Sequence, residues 1–363
     1  MTRTTAADTC VDCQDHEANL TIRARRLCAA CFSRYVNSKI LKRMESYGFK
    51  HLAEDQKRRL FLPVSGGVSS LVLLQVLDAQ LQRQIGNRNR TAYDLIVARV
   101  VLPDARDLAA IESEYQALAQ RFPLHTFLPL VPLHDVLRMD HRIHQDLSHL
   151  GIELQAGGSD KEIVDRILSC ATSVTTRAEL QSILLQRLLV SIAKHQNCEG
   201  VLWGHSDSRL AALALADVAK GRGGSVSSSI TDGPSLHGIK FNYPTRDLFK
   251  VELQSYAQAV AEPLATEGED DAVGQPTSGI RNVPIDNLLS NYILSQGEKY
   301  PSIMANVVRT ASKLQVRSTE NGVVACSFCM APMTGSSDNP GVDENLCYGC
   351  ERMRQDIKMW ITR

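Results

Sequence analysis

The chain has 363 residues, 44% of them apolar, with 40 Lys+Arg against 40 Asp+Glu. That length supports one large core or two smaller ones, and no run nears the ~18 apolar residues of a membrane helix. A net charge of zero points to no class of partner, so the distribution of charges and thiols has to carry the reading.

Residues 1–8 are polar and Thr-rich, without the apolar centre of a secretory signal. Eight of the ten cysteines then fall in four CxxC pairs, Cys10/Cys13 with Cys28/Cys31 and Cys326/Cys329 with Cys347/Cys350. The spacings are C-x2-C-x14-C-x2-C and C-x2-C-x17-C-x2-C. Each CxxC turn aims two thiolates at one point, and two turns complete a tetrahedron, so two structural zinc sites are expected. Metal binding would supply folding energy that so short a segment cannot draw from burial. A four-cysteine set also suits an iron–sulfur cluster, which stays open as the alternative. Thiols used this way imply a reducing, intracellular compartment.

Arg23, Arg25, Arg26, Arg34, Lys39, Lys42 and Arg43 follow with no acid between Thr21 and Arg43. Beside a zinc module they form a candidate phosphate-binding face, the alternative being a solvated helix surface. A helix is expected from Ser33 to about Tyr47 and a strand over Arg59–Val64. Ser65-Gly66-Gly67-Val68-Ser69-Ser70 comes next, then a helix over Leu71–Leu81. A glycine loop between strand and helix lets backbone amides and the helix N-terminus cradle a phosphate. Gly221-Arg-Gly-Gly224 lacks the last glycine of a dinucleotide fingerprint.

Further elements are expected as strand Asp94–Leu102, helix Asp107–Arg121, strand Leu124–Leu130, and two helices over Ser159–His195. Strand Gly200–Gly204 and helix Leu210–Ala219 complete the run. Alternating strands and helices predict an α/β fold with a mostly parallel sheet and helices on both faces. Glu262–Pro284, rich in Pro, Gly and acids, reads as a loop or linker. The expected organisation is 1–48 N-terminal zinc module and basic helix, 49–261 α/β domain, 262–284 linker, and 285–363 C-terminal helices and zinc module. Cys170 and Cys198 read as packed thiols, His205 as a solvated loop histidine, Asp207 as a lone candidate magnesium ligand, and Trp203 and Trp360 as packing residues. His134, His141, His144 and His149 match no common ligand spacing and read as a polar helical face.

The SGGxxS loop after a first strand resembles the PP-loop, SGGxDS, of ATP pyrophosphatases. With cysteine modules at both ends, Tyr243-Pro-Thr-Arg-Asp247 and the ending Leu-Cys347-Tyr-Gly-Cys350, the chain resembles the cytoplasmic tRNA 2-thiolation protein 2 family over nearly its full length. The resemblance implies a PP-loop ATP-pyrophosphatase-like domain and a role beside a catalytic paralogue, as a heterodimer. Sulfur would pass from a thiocarboxylated ubiquitin-like carrier to the wobble uridine of Lys, Glu and Gln tRNAs in the cytoplasm.

Three segments depart from the active pattern. Ser69 stands for the loop aspartate. Gly204-His-Ser-Asp-Ser-Arg209 stands for a GHNADD-like loop, with Ser208 and Arg209 at the acidic pair. Cys170-Ala-Thr-Ser173-Val-Thr-Thr-Arg177 stands for CxxCGxxR, with Ser173 at the second thiol. A hydroxyl is a poor soft ligand and a poor sulfur carrier. The resemblance therefore implies a non-catalytic subunit, with Cys170 the residual catalytic candidate. Ser65, Gly66, Gly67, Ser69 and Ser70 would be the residual nucleotide contacts, whether or not ATP with magnesium still binds. The alternatives are an active thiolase using Cys170 and a degenerate PP-loop, and a zinc-dependent RNA or protein adaptor without a nucleotide site.

Overall fold

A computed structural model describes residues 9–50, 52–53, 56–154, 157–260, 283–314, 324–333 and 345–358. Nearly all of the expected linker at 262–284, and Trp360, lie outside the described residues. The N-terminal hairpin is β1 (Leu20–Ile22) with β2 (Arg25–Leu27), followed by α1 (Ala29–Arg43). Next come β3 (Arg58–Pro63), α2 (Val68–Arg88), β4 (Tyr93–Ala98), β5 (Val100–Val101), α3 (Leu108–Arg121), β6 (Thr126–Phe127) and β7 (Val131–Pro132). The middle of the chain holds α4 (Val136–Met139), α5 (Ile143–His149), α6 (Asp160–Ser169), α7 (Val174–His195), β8 (Gly200–Leu202), α8 (Asp207–Ala219) and α9 (Val226–Ile230). Then follow β9 (Gly233–Pro234), β10 (Lys240–Asn242), α10 (Lys250–Val260), α11 (Ile285–Lys299), α12 (Pro301–Ala311), β11 (Val324–Ala325), β12 (Pro332–Met333) and α13 (Tyr348–Gln355).

The central sheet runs β6-β4-β3-β8-β10-β9, parallel except for β9 at its edge. The chain adds β4 and β6 on one side of β3, then β8 and β10 on the other. β3 and β8 therefore flank the topological switch point, whose C-terminal crevice is where open α/β sheets bind ligands. The glycine loop lies there, directly after β3.

Strand alternation sorts the core into two faces. Phe61, Ile96, Val201 and Phe241 pack with α4–α9 and with Cys326, Phe328 and Cys350. Leu60, Leu62, Leu95, Val97 and Leu202 pack with α1, α2, α10 and with Cys10, Cys28 and Cys31. One cysteine set thus belongs to each face of the sheet.

The expected elements exist, with boundaries moved for identifiable reasons. The helix expected from Ser33 begins at Ala29, because Phe32 N already donates to Cys28 O and the CxxC turn opens straight into helix. The helix expected from Leu71 starts at Val68 and ends at Asn89, whose φ of 52° is a left-handed cap. The strand expected over Leu124–Leu130 shrinks to Thr126–Phe127, since Pro123 and Pro129 bracket it and cannot donate to a ladder. Strand β10, only Lys-Phe-Asn, carries too little pattern to be read from sequence.

Candidate functional site

Both cysteine sets close into clusters. Within each, the four Sγ atoms lie within 4.8 Å of one another. Cys13 and Cys28 are 3.8 Å apart and Cys329 and Cys347 3.5 Å. One tetrahedral ion with ~2.3 Å metal–sulfur bonds needs sulfur–sulfur edges of about 3.8 Å. Each set is therefore sized to hold a single metal ion; a multi-iron cluster, one thiolate per iron, would spread the sulfurs further.

The glycine loop sits at the N-terminus of the 21-residue α2, whose N-cap Gly67 has no side-chain cap. Gly67 N donates to Ser65 Oγ at 3.3 Å, and Ser70 Oγ donates to Gly67 O at 2.9 Å. Ser65 is exposed, while Gly66, Gly67, Ser69 and Ser70 are buried. Gly66 has φ +89°, and a Cβ there would meet the Arg99 guanidinium at 3.0 Å. Arg99 is 6% exposed and held by Glu114 at 3.1 Å. Its charge beside the loop was not read from the sequence, where it interrupts an apolar strand without other signal. Gly204 approaches the loop from the β8 side; a Cβ there would come within 2.8 Å of Ser70 Cα.

Beyond Gly204 the chain enters a stack. His205 is not the solvated loop residue expected. Its ring lies 5.5 Å from Trp203 and 5.7 Å from Tyr243. Burial, with the nearby Arg209 charge, pulls its pKa down to about 3, so the imidazole is neutral. Trp203 packs edge-on against Phe241, as a packing residue should. Asp207 is 5% exposed, its Oδ2 lacks a hydrogen-bond partner, and burial pushes its pKa up to about 7.

Cys170 is buried, as a packed thiol should be, and caps the end of α6. Ser173 caps the start of α7, accepting from Thr176 N at 3.1 Å. The C-terminal segment lies across both. Thr172 N donates to Asp356 O at 3.0 Å, and Lys358 N donates to Cys170 O at 3.1 Å. Asp356 Oδ2 takes Thr176 Oγ1 at 2.6 Å and lies 3.2 Å from Ser173 Oγ. The two positions at which the resemblance expects thiols are thus a buried thiol, which lines a small pocket with Ile152, Ile163 and Ile167, and a helix cap bonded to Asp356. Cys198 is half-buried against the core, and burial pushes its thiol up to about 11. His134 precedes α4, His141 lies in the turn before α5, and His144 and His149 sit on α5; among the described residues they join no metal-ligating group.

The basic stretch divides. Arg23 pairs with Glu252 at 2.8 Å, donates to Asp247 O at 2.9 Å and stacks 4.1 Å over Phe249. Arg43 makes a fork on Asp247 at 2.8 and 2.9 Å. Arg25 pairs with Asp12, and Arg26 donates to Ala18 O at 3.3 Å. Lys39 lies 5.7 Å from the Tyr35 ring. Arg34 and Lys42 are exposed on α1, with no ion pair shown among the described residues.

Comparison with known proteins gives the same answer at sequence and fold level. The chain is 41% identical to the cytoplasmic tRNA 2-thiolation protein 2 of Neosartorya fischeri, covering 97% of this chain and 98% of that protein. It is 40% identical to the protein of that name from Aspergillus clavatus, covering 96% and 98%. The fold is similar to that of the U34-tRNA thiolase NcsA from Methanococcus maripaludis, solved with its 4Fe-4S cluster, at a TM-score of 0.55 and 13% identity, covering 89% and 95% of the two chains. At that identity the likeness speaks for the PP-loop thiolase fold alone. The sequence model described as cytoplasmic tRNA 2-thiolation protein 2 matches residues 284–341, and with near-full-length relatives at about 40% identity the chain belongs to the cytoplasmic tRNA 2-thiolation protein 2 family.

Proposed function

We propose that this chain is the non-catalytic subunit of a cytoplasmic complex that converts the wobble uridine of Lys, Glu and Gln tRNAs to 2-thiouridine. A catalytic paralogue would form a heterodimer with it. On the paralogue, ATP would adenylate O2 of the uridine, releasing pyrophosphate. Sulfur from a thiocarboxylated ubiquitin-like carrier would then displace AMP. This chain would contribute tRNA-binding surface, including Arg34, Lys39 and Lys42, and a stable platform organised as the modules expected from sequence. Both cysteine sets are assigned to zinc, on their size and all-sulfur donors.

The observation that carries this reading is the buried Cys170 with Ser173 at the second thiol position. A sulfur-carrying thiol must be accessible and ionisable. Here Cys170 is buried, and Ser173 is occupied as the α7 cap beneath Asp356.

The test uses purified chain, purified paralogue and their complex, each given tRNA, ATP and a sulfur donor. The complex should form 2-thiouridine and this chain alone should form none. Replacing Cys170 with Ala in the complex should leave the rate within about twofold. Thiolation by the isolated chain, or its collapse in a folded Cys170→Ala complex, would restore the active-thiolase alternative.

A further inference from the structure

Gly221-Arg222-Gly223-Gly224 has no role in the glycine loop or the sulfur-site remnant. It follows α8, and Arg222 points into the C-terminal cysteine set. Its Nη1 lies 3.1 Å from both Cys329 Sγ and Cys347 Sγ, and its Nη2 3.4 Å from Cys350 Sγ. Three of the four sulfurs thus accept from one guanidinium. The side chain is 8% exposed, and its Nε donates to Glu179 Oε1 at 2.6 Å. Glu179, itself 2% exposed, also pairs with Arg352 of α13, the helix that follows the last CxxC turn.

Two glycines make this approach possible. A Cβ on Gly349, between Cys347 and Cys350, would come 2.6 Å from Arg222 Cγ. A Cβ on Gly221, which has φ +78°, would come 2.6 Å from the Tyr348 ring. The loop and the CxxC turn therefore interlock without room for a methyl group on either side. Arg187 adds a second anchor, donating to Phe328 O at 2.7 Å and Ser327 O at 3.2 Å.

Four thiolates around a divalent ion leave two negative charges in a buried place, which is costly unless they are neutralised and hydrogen-bonded. Four uncharged thiols, conversely, would leave the two Nη groups of Arg222 without a charged acceptor, Glu179 being met by Nε. We propose that Arg222 is a positioning residue for the C-terminal metal centre, coupling metal retention there to docking of the 345–358 segment onto the α/β body. The proposal rests on the reading of that cysteine set as a single-ion centre. It also accounts for residues 356–358 bonding to the Cys170 carbonyl and to Thr172: that contact stays in place through the metal.

The test is release of zinc from the full-length chain to a chelator, with Cys13→Ser protein identifying the phase that belongs to the C-terminal centre. In Arg222→Leu that phase should accelerate at least about tenfold, with the N-terminal phase unchanged. Arg222→Lys keeps the charge without the fork, should fall between, and gives the same reading if the Leu variant does not fold. In wild type, stripping the C-terminal zinc should release the Thr172 and Lys358 amides to hydrogen exchange. An unchanged C-terminal phase in folded Arg222 variants, or amides still protected after stripping, would overturn the coupling. Wild-type protein retaining no C-terminal metal would overturn the single-ion reading itself, and the coupling with it.

Discussion

Asp207 shows how far a single residue can be read. As sequence it is a lone acid in a loop; in the fold it is a buried acid with an orphaned oxygen and a pKa near 7. Its pKa in the unfolded chain is about 3.9. A folded pKa above the unfolded one means its stability contribution is fully present below about pH 4 and is lost as pH rises to about 7, with no further change beyond. Asp207→Asn keeps the shape without the titration. Denaturant unfolding should find the variant more stable than wild type by up to about 4 kcal/mol at pH 8, with the gap closing towards pH 4.5. Equal gaps at both pH values would mean that Asp207 ionises freely in the fold. The two four-cysteine sets were legible because their pairing is written in short spacings. Arg222, Arg99 and Asp356 were not. Arg222 meets sulfurs more than a hundred residues away in sequence, and no local pattern marks such a pairing.

At the scale of elements, α1 combines two jobs that the charge count merges. The run of seven basic residues was legible as one cluster, but folding spends Arg23 and Arg43 on Glu252 and Asp247. Those pairs join α1 and its hairpin to the Tyr243–Asp247 loop and α10. Arg34 and Lys42 face solvent and are the residues to test for RNA. Changing both to Glu should weaken tRNA binding by the complex and flatten its log–log salt dependence by roughly 0.7 to 0.9 for each phosphate that is no longer neutralised. Thermal stability should stay the same. Arg43→Glu should do the reverse, lowering the melting temperature by placing two acids against each other. If Arg34→Glu/Lys42→Glu leaves tRNA affinity and salt slope unchanged, the α1 face does not contact RNA. Element existence was readable from apolar runs, whereas boundaries were set by features outside the pattern: the CxxC turn that starts α1, and the prolines that trim β6.

Over the whole molecule, strand–helix alternation foretold the parallel sheet, and the resemblance foretold the family. Neither foretold that the two cysteine sets pack into opposite faces of that sheet. The C-terminal set is thus part of the body that carries Cys170, and its trailing residues close onto the Cys170–Ser173 backbone, beside a thiol that is itself buried. That closure is the centre of the functional account. The most direct measurement is the 2-thiouridine content of total tRNA, by mass spectrometry, from cells that carry only a Cys170→Ala/Ser173→Ala form of this chain. The account predicts near-normal thiolation with the variant and loss of thiolation when the chain is absent. Loss of thiolation with a variant that still accumulates, keeps its metal and binds the paralogue would contradict it, and would place the sulfur chemistry in this chain.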